Sequence, residues 1–320
     1  MARAGVPSSP PEVWTDLGLV LLAIIWGLNF IVVKVALELL HPLAFNALRF
    51  PLACATLLIM VRLRGSVVIP ERRHVVPLIL WGLLGNVAYQ LFFIFGLNRT
   101  GAGNAGVLLA TTPVWTIMLS AALGHERPTL AVWLGAGLTL TGMFLVILGG
   151  GGTLEMRGNT LLGDLLLIGG AMTWAAYTVG ARNLVVQYGS IQVTAWTLWI
   201  GTAVLVPLGI PALVAAPPFR LPAVAWGGIA YAGILAVGIA YALWNRGVRR
   251  LGNTRTAIYS NMVPVVALGA AWFWLDEVPT ILQLSGAGLI LGGILLARLK
   301  RKVGSAPEAP EIHIAAHPLR

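Results

Sequence analysis

Apolar runs of about 20 residues follow one another along almost the whole chain, divided only by short breaks rich in turn formers and charge. A run of that length, as helix, crosses the ~30 Å hydrocarbon core of a bilayer. The runs fall at 14–37, 43–62, 75–97, 103–123, 128–149, 161–181, 190–213, 222–244, 254–275 and 279–299, with breaks such as "RLRGSVVIPERRH", "GHERPT" and "AAPPFRLP" between them. Only 10% of the residues are charged, where a soluble domain carries roughly a quarter. The expected fold class is therefore an all-α polytopic membrane protein with ten transmembrane helices. The segment before Trp14 is short and proline-rich, without a cleavable secretory pattern, so the first run is expected as a helix of the mature chain.

The net charge of +10 is a topology signal. With ten spans, Arg3, Arg62, Arg64, Arg72, Arg73, Arg127, Arg182 and the cations from Arg246 to Arg255 fall on one side, together with those from Arg298 onward; Arg99, Arg157 and Arg220 fall on the other. That bias places both termini in the cytoplasm of an inner (plasma) membrane and gives no reason to expect a nucleic-acid partner. Residues 303–320 are expected to form a disordered cytoplasmic tail.

The chain also repeats. An offset of 264 − 113 = 151 lays Gly96, Arg99 and Gly101 on Gly247, Arg250 and Gly252, and lays Glu126, Pro128 and Thr129 on Glu277, Pro279 and Thr280. Earlier in each half an offset of 174 − 26 = 148 matches Asp16, Ala23 and Trp26 to Asp164, Ala171 and Trp174, and Lys34 meets Arg182. Five spans per copy make the second copy start on the opposite side of the membrane. Residues 14–149 and 161–299 thus read as two inverted five-helix repeats, flanked by segments 1–13, 150–160 and 300–320. Secondary transporters use this construction, with a substrate site near the midplane between the halves.

The stretches "WGLNFIVVKVALELLHPLAFNALRFPLA" and "GLNRTGAGNAGVLLATTPVWTIMLSAALGHERPTLAVWLGAGLTLTGMFLVIL" resemble an EamA domain, and "RRLGNTRTAIYSNMVPVVALGAAWFWLDEVPTILQLSGAGLILGGILLAR" repeats the latter. Over residues 14 to 300 the chain resembles the ten-helix branch of the drug/metabolite transporter superfamily, with two EamA domains. The resemblance implies export of amino acids or other small metabolites through a central cavity lined chiefly by the first, third, fourth, sixth, eighth and ninth helices.

Polar residues inside spans are costly unless paired or facing a cavity, which marks candidates. Asn86, Tyr89, Gln90 and Phe93 share one helical face, suited either to a polar metabolite or to interhelical hydrogen bonds. Tyr231, Tyr241 and Asn245 lie on the equivalent eighth helix, the latter two nearer the cytoplasm and suited to gating or headgroups. Trp26 with Asn29 and Trp174 with Tyr177 are repeat-related pairs at mid-depth, either core packing or cavity wall. Thr111, Thr112 and Trp115, and Ser260 and Asn261, flank the matched Pro113 and Pro264, which read as hinges or as static kinks relieved by hydroxyls. Lys34 sits about one turn from its span's end as an anchor or a partner for Glu38, with Arg182 its mirror. Arg49 reads as structural, with a helix-end carbonyl or headgroup as partner. Glu126 and Glu277 precede Pro128 and Pro279 and read as helix caps.

Other classes lack their residues. No Walker-type loop for ATP, no metal constellation and no nucleophile set at depth is visible, so neither an enzyme nor a cofactor is expected. No Asp or Glu sits at mid-membrane, although Asp16 or Asp164 remains open for coupling near an edge. Cys54 stands alone as a small packing residue. The expectation is a secondary carrier whose partners are a small-molecule substrate and lipid. An uptake carrier or exchanger for a nucleoside, drug or phosphorylated sugar remains the alternative, with a channel or a membrane-embedded enzyme ranked behind it.

Overall fold

A computed structural model of the chain describes residues 12–65, 67–99, 105, 108–149, 159–218, 221–275 and 278–299. The expected tail, most of the 150–160 linker, Glu277 and the side chain of Lys34 lie outside the described residues. Among those described there is no strand, and helices follow the apolar runs in order. They are α1 (Glu12–Leu39), α2 (Pro42–Leu63), α3 (Arg72–Leu97), α4 (Thr112–Ala122), α5 (Leu130–Gly149), α6 (Asn159–Gly180), α7 (Ser190–Ala215) and α8 (Ala223–Leu251). Next, α9 comprises Asn253–Tyr259 and Val263–Leu275 joined by a 3-10 turn at Ser260–Met262, and α10 is Ile281–Leu299. A short helix, Arg182–Tyr188, links α6 to α7. Six helices (α1, α2, α3, α6, α7, α8) are long and apolar enough to cross a membrane by themselves. Because α4, α5 and α10 carry shorter apolar cores and α9 is interrupted, ten spans remain a reading of the sequence.

Local chemistry sets the ends. Pro42 opens α2, where its missing N–H and fixed φ fit the first turn. Gly252 (φ 89°) divides α8 from α9, and Gly189 (φ 91°) divides Arg182–Tyr188 from α7, in a left-handed conformation that residues with a Cβ adopt at a cost. Helix α8 continues past the expected 222–244 to Leu251, because its Arg-rich last turns hold a helix while their charged heads leave the hydrocarbon. Both α3 and α8 contain a π-helical stretch, Leu83–Ala88 and Tyr231–Ile239, at repeat-related positions, since 83 + 151 = 234 and 88 + 151 = 239.

The packing repeats the sequence symmetry contact by contact. A Cβ on Gly96 would meet Leu167, and one on Gly247 would meet Leu19, where 96 + 151 = 247 and 19 + 148 = 167. Gly82 lies against the Thr197 carbonyl and Ile200, as Gly233 lies against the Arg49 carbonyl and Leu52; here 49 + 148 = 197 and 52 + 148 = 200. Interchanged contacts of this kind require a pseudo-two-fold relation between the halves. In the α5–α10 pair, Gly135 faces the Gly293 carbonyl and Gly142 faces that of Gly286, each 2.5–2.6 Å from where a Cβ would stand. Small residues let membrane helices approach this closely, and packing holds them where the hydrophobic effect gives no drive.

Candidate functional site

A residue that touches its own repeat mate lies beside the pseudo-two-fold axis. Among the described residues, three pairs of mates are joined by a side-chain hydrogen bond or a ring contact. Gln90 Nε2 donates to Tyr241 Oη at 2.7 Å, and 90 + 151 = 241. The Trp26 and Trp174 rings meet edge to face with centroids 6.0 Å apart, and 26 + 148 = 174. Cys54 Sγ lies 3.0 Å from Thr202 Oγ1, and 54 + 148 = 202. Two of these pairs border a cavity of about 100 Å³, which suits a small metabolite, given that roughly 10–15 Å³ lodges one water.

The helices expected to line that cavity do so, and α2 adds Arg49. Aromatic walls come from Trp26, Tyr89, Phe93, Trp174, Tyr241 and Trp244. Trp174 is their hub, with centroid distances of 4.7 Å to Tyr241, 4.8 Å to Tyr89 and 5.5 Å to Trp244. Trp26 Nε1 donates to the Ala236 carbonyl (3.0 Å), inside the π-helical stretch of α8. Asn29, Thr112, Ser260 and Pro264 complete the polar and kinked part of the lining.

Arg49 differs from its expected placement. It is 1% exposed, and its partners are side chains rather than a helix-end carbonyl or a headgroup. Nε donates to Asn46 Oδ1 (3.0 Å) and Nη2 to Gln90 Oε1 (2.6 Å), while the guanidinium lies 4.7 Å from the Phe45 ring centroid. Gln90 therefore bridges Arg49 to Tyr241 and joins the two halves through one amide.

Five of the residues expected as cavity candidates, Asn86, Trp115, Tyr177, Tyr231 and Asn261, lie off the lining. Asn86 packs against Gly201 of α7, because the wider turn of the π-helical stretch breaks the 3.6-residue phase that set it beside Tyr89. Tyr231 donates to the Ile25 carbonyl, Trp115 to Thr111 Oγ1, and Asn261 to Thr139 Oγ1, so each ties helix to helix or turn to turn. Tyr177 belongs to a buried network at the end where α1 begins. There Asn245 Nδ2 donates to Tyr177 Oη (2.9 Å) and to Thr194 Oγ1 (2.8 Å), Tyr177 Oη lies 3.4 Å from Thr197 Oγ1, and Trp244 Nε1 donates to Thr178 Oγ1 (3.0 Å). Trp244, Thr194 and Thr197 escaped the sequence reading, yet the repeat offsets point to them as the mates of Phe93, Asn46 and Arg49.

The same end holds further ties between the halves, among them Asn253 Nδ2 donating to Ser120 Oγ (3.2 Å). Glu126 accepts from the backbone N–H of Asn253 (2.6 Å) and of Thr254 (3.2 Å), so it caps α9 rather than its own helix. Tyr259 Oη donates to Asp16 (2.7 Å). At the first kink, Thr112 Oγ1 donates to the Leu109 carbonyl that Pro113 leaves without its N–H; at the second, Ser260 Oγ donates to the Ala257 carbonyl, about two turns before Pro264. Arg182, half-buried, begins the short helix after α6.

Residues 13–148 and 161–299 each match the EamA-like transporter family. The chain is 30% identical over 291 residues to the "Probable terminal-alkyne amino-acid exporter" of Streptantibioticus cattleyicolor, covering 91% of this chain and 95% of that one. It is 28% identical to the "Probable amino-acid metabolite efflux pump" of Escherichia coli, covering 86% and 92%. A crystal structure 23% identical in sequence superposes with a TM-score of 0.76, covering 90% of this chain and 98% of the other, and shares the fold. Two matched segments over a repeated helical membrane fold make this chain a member of the EamA-like transporter family of the drug/metabolite transporter superfamily.

Proposed function

We propose that the protein is a secondary carrier that exports amino acids or closely related metabolites across an inner membrane by alternating access, with both termini in the cytoplasm. The observation that carries this reading is the position of the cavity, lined by aromatic side chains of both halves and crossed by the Gln90–Tyr241 hydrogen bond between repeat mates. A cavity on the axis of an inverted repeat is the one place that both packings of the halves can present to opposite sides. The buried network of Tyr177, Asn245 and Thr194 then serves as the cytoplasmic seal. The names of the two relatives support amino-acid export.

Counter-flow in liposomes tests the reading. Purified protein preloaded with unlabelled amino acids or nucleosides should drive saturable entry of labelled tracer from one class. Flux that fails to saturate and shows no trans-stimulation would replace the carrier with a channel.

A further inference from the structure

The cavity lining contains one charged side chain, Arg49, and no carboxylate. Among the described residues the ion pair present is the distant, exposed Arg73–Glu71, so the guanidinium is buried without a counter-ion. An arginine at depth in a membrane is costly even on an insertion scale, and a buried charge is normally paired. Neutral oxygens of Asn46 and Gln90 hold Nε and Nη2 in place and the Phe45 and Phe50 rings lie 4.7 Å and 5.7 Å from the guanidinium, but none of these brings a negative charge.

Further groups beside it are poised for a ligand. Tyr241 Oη accepts from Gln90, which frees its own proton for donation. Trp174 Nε1, a donor, and Asn29 Oδ1, an acceptor, are buried and have no partner. Trp174 is 4% exposed and Asn29 9%, and both line the cavity. The set is a cation with spare donors, one free acceptor and aromatic faces. A carboxylate matches one guanidinium, which binds it as a two-pronged donor. An ammonium is met by an amide oxygen and by aromatic faces. A phosphate dianion would leave a charge unmatched by this single cation.

We propose that Arg49 is the anchor for the carboxylate of the transported molecule, with the Tyr241 hydroxyl as a second donor and Asn29 with the aromatic wall facing its ammonium, so that the substrate class is α-amino acids. This deepens the carrier reading and rests on it.

The test uses the full chain in liposomes, with labelled L-threonine, L-methionine and L-phenylalanine as probes. Each is followed against the unlabelled acid, its carboxamide and its decarboxylated amine inside. Wild-type protein should be trans-stimulated by the acids, while amides and amines need about tenfold or higher concentration, because a site built to pair a group leaves its own donors unpaired when the group is missing. Arg49→Gln should erase the preference of acid over amide, and Arg49→Lys, which keeps the charge and loses the fork, should restore part of it. Equal trans-stimulation by acid, amide and amine in the wild type overturns the anchor and leaves the carrier standing. So does a preference that survives Arg49→Gln. Silence for all three amino acids overturns the amino-acid carrier reading itself. The wild-type comparison decides even where a variant fails to fold.

Discussion

At the end where α1 begins, Tyr177, Thr194 and Thr197 are joined through buried bonds centred on Asn245 and Tyr177. The equivalent positions at the other end are Asn29, Asn46 and Arg49, since 177 − 148 = 29, 194 − 148 = 46 and 197 − 148 = 49. Both sets stand on backbones packed in the same way, Gly82 against Thr197 and Gly233 against Arg49. One set is neutral, and each of its hydroxyls finds a protein partner. The other carries a charge and leaves Asn29 Oδ1 and Asn46 Nδ2 unpaired. Asn245 Oδ1 is also left without a partner, so the contrast lies in charge and in hydroxyls against amides. An inverted repeat therefore duplicates the scaffold without duplicating the chemistry: one end carries a neutral hydroxyl network and the other a buried cation.

The sharpest way to break this comparison is at Asn245. Hydrogen bonds between membrane helices average about 0.6 kcal/mol and reach about 1.7, and Asn245 Nδ2 makes two. Asn245→Ala should thus favour opening of the sealed end by about fivefold to tenfold or more. Hydrogen–deuterium exchange in nanodiscs should show it as faster exchange over residues 174–181 and 241–256. Unchanged exchange would mean that the network does not hold the seal.

Glu126→Ala should act in the same direction with a somewhat smaller effect, about 1 kcal/mol, as expected for a lost helix cap. Its signature is faster exchange confined to the first turn of α9. Glu126→Gln, which keeps an acceptor, should lose less. The glycine mates sharpen the comparison further. A Cβ on Gly233 meets the Arg49 carbonyl at 2.5 Å, whereas one on Gly82 meets the Thr197 carbonyl at 3.0 Å. Gly233→Ala should lower the detergent melting temperature more than Gly82→Ala, and equal losses would mean that the closer approach at Gly233 carries no extra cost. The smallest effect is expected for Thr202→Val. It removes the contact with Cys54 and a bond back to the Leu198 carbonyl, which already accepts within its own helix, and should stay within about 0.5 kcal/mol, a near-unchanged melting temperature.

Much of the fold was legible because two of its causes are local and additive: apolar length sets a span, and paired Gly, Trp and Glu-x-Pro-Thr positions set the repeat. Trp26, Trp174, Tyr89, Gln90 and Phe93 could be placed together for the same reason, through offsets and helical phase. Phase failed at Asn86, where a π-helical stretch intervenes that nothing in "LLGNVA" announces. Arg49 reads from sequence as an anchor because it is seven residues from the start of α2; its bond to Gln90, 41 residues away, depends on how α2 meets α3. Glu126 likewise precedes a proline that suggests a local cap, while the N–H groups it satisfies are 127 and 128 residues downstream. Long-range partners of single polar groups leave no periodic trace.

The glycine contacts of α5 with α10 have a further mechanical meaning. Under the repeat, Gly135 becomes Gly286 and Gly142 becomes Gly293, so the contact of Gly135 with Gly293 turns into that of Gly286 with Gly142. The set maps onto itself. When two halves trade packings, most contacts must be broken and replaced by their counterparts, but this pair is its own counterpart. It can stay engaged through the whole motion and act as a bearing, a fixed axle on which the remaining helices rock, with no free energy spent on separating and rejoining it.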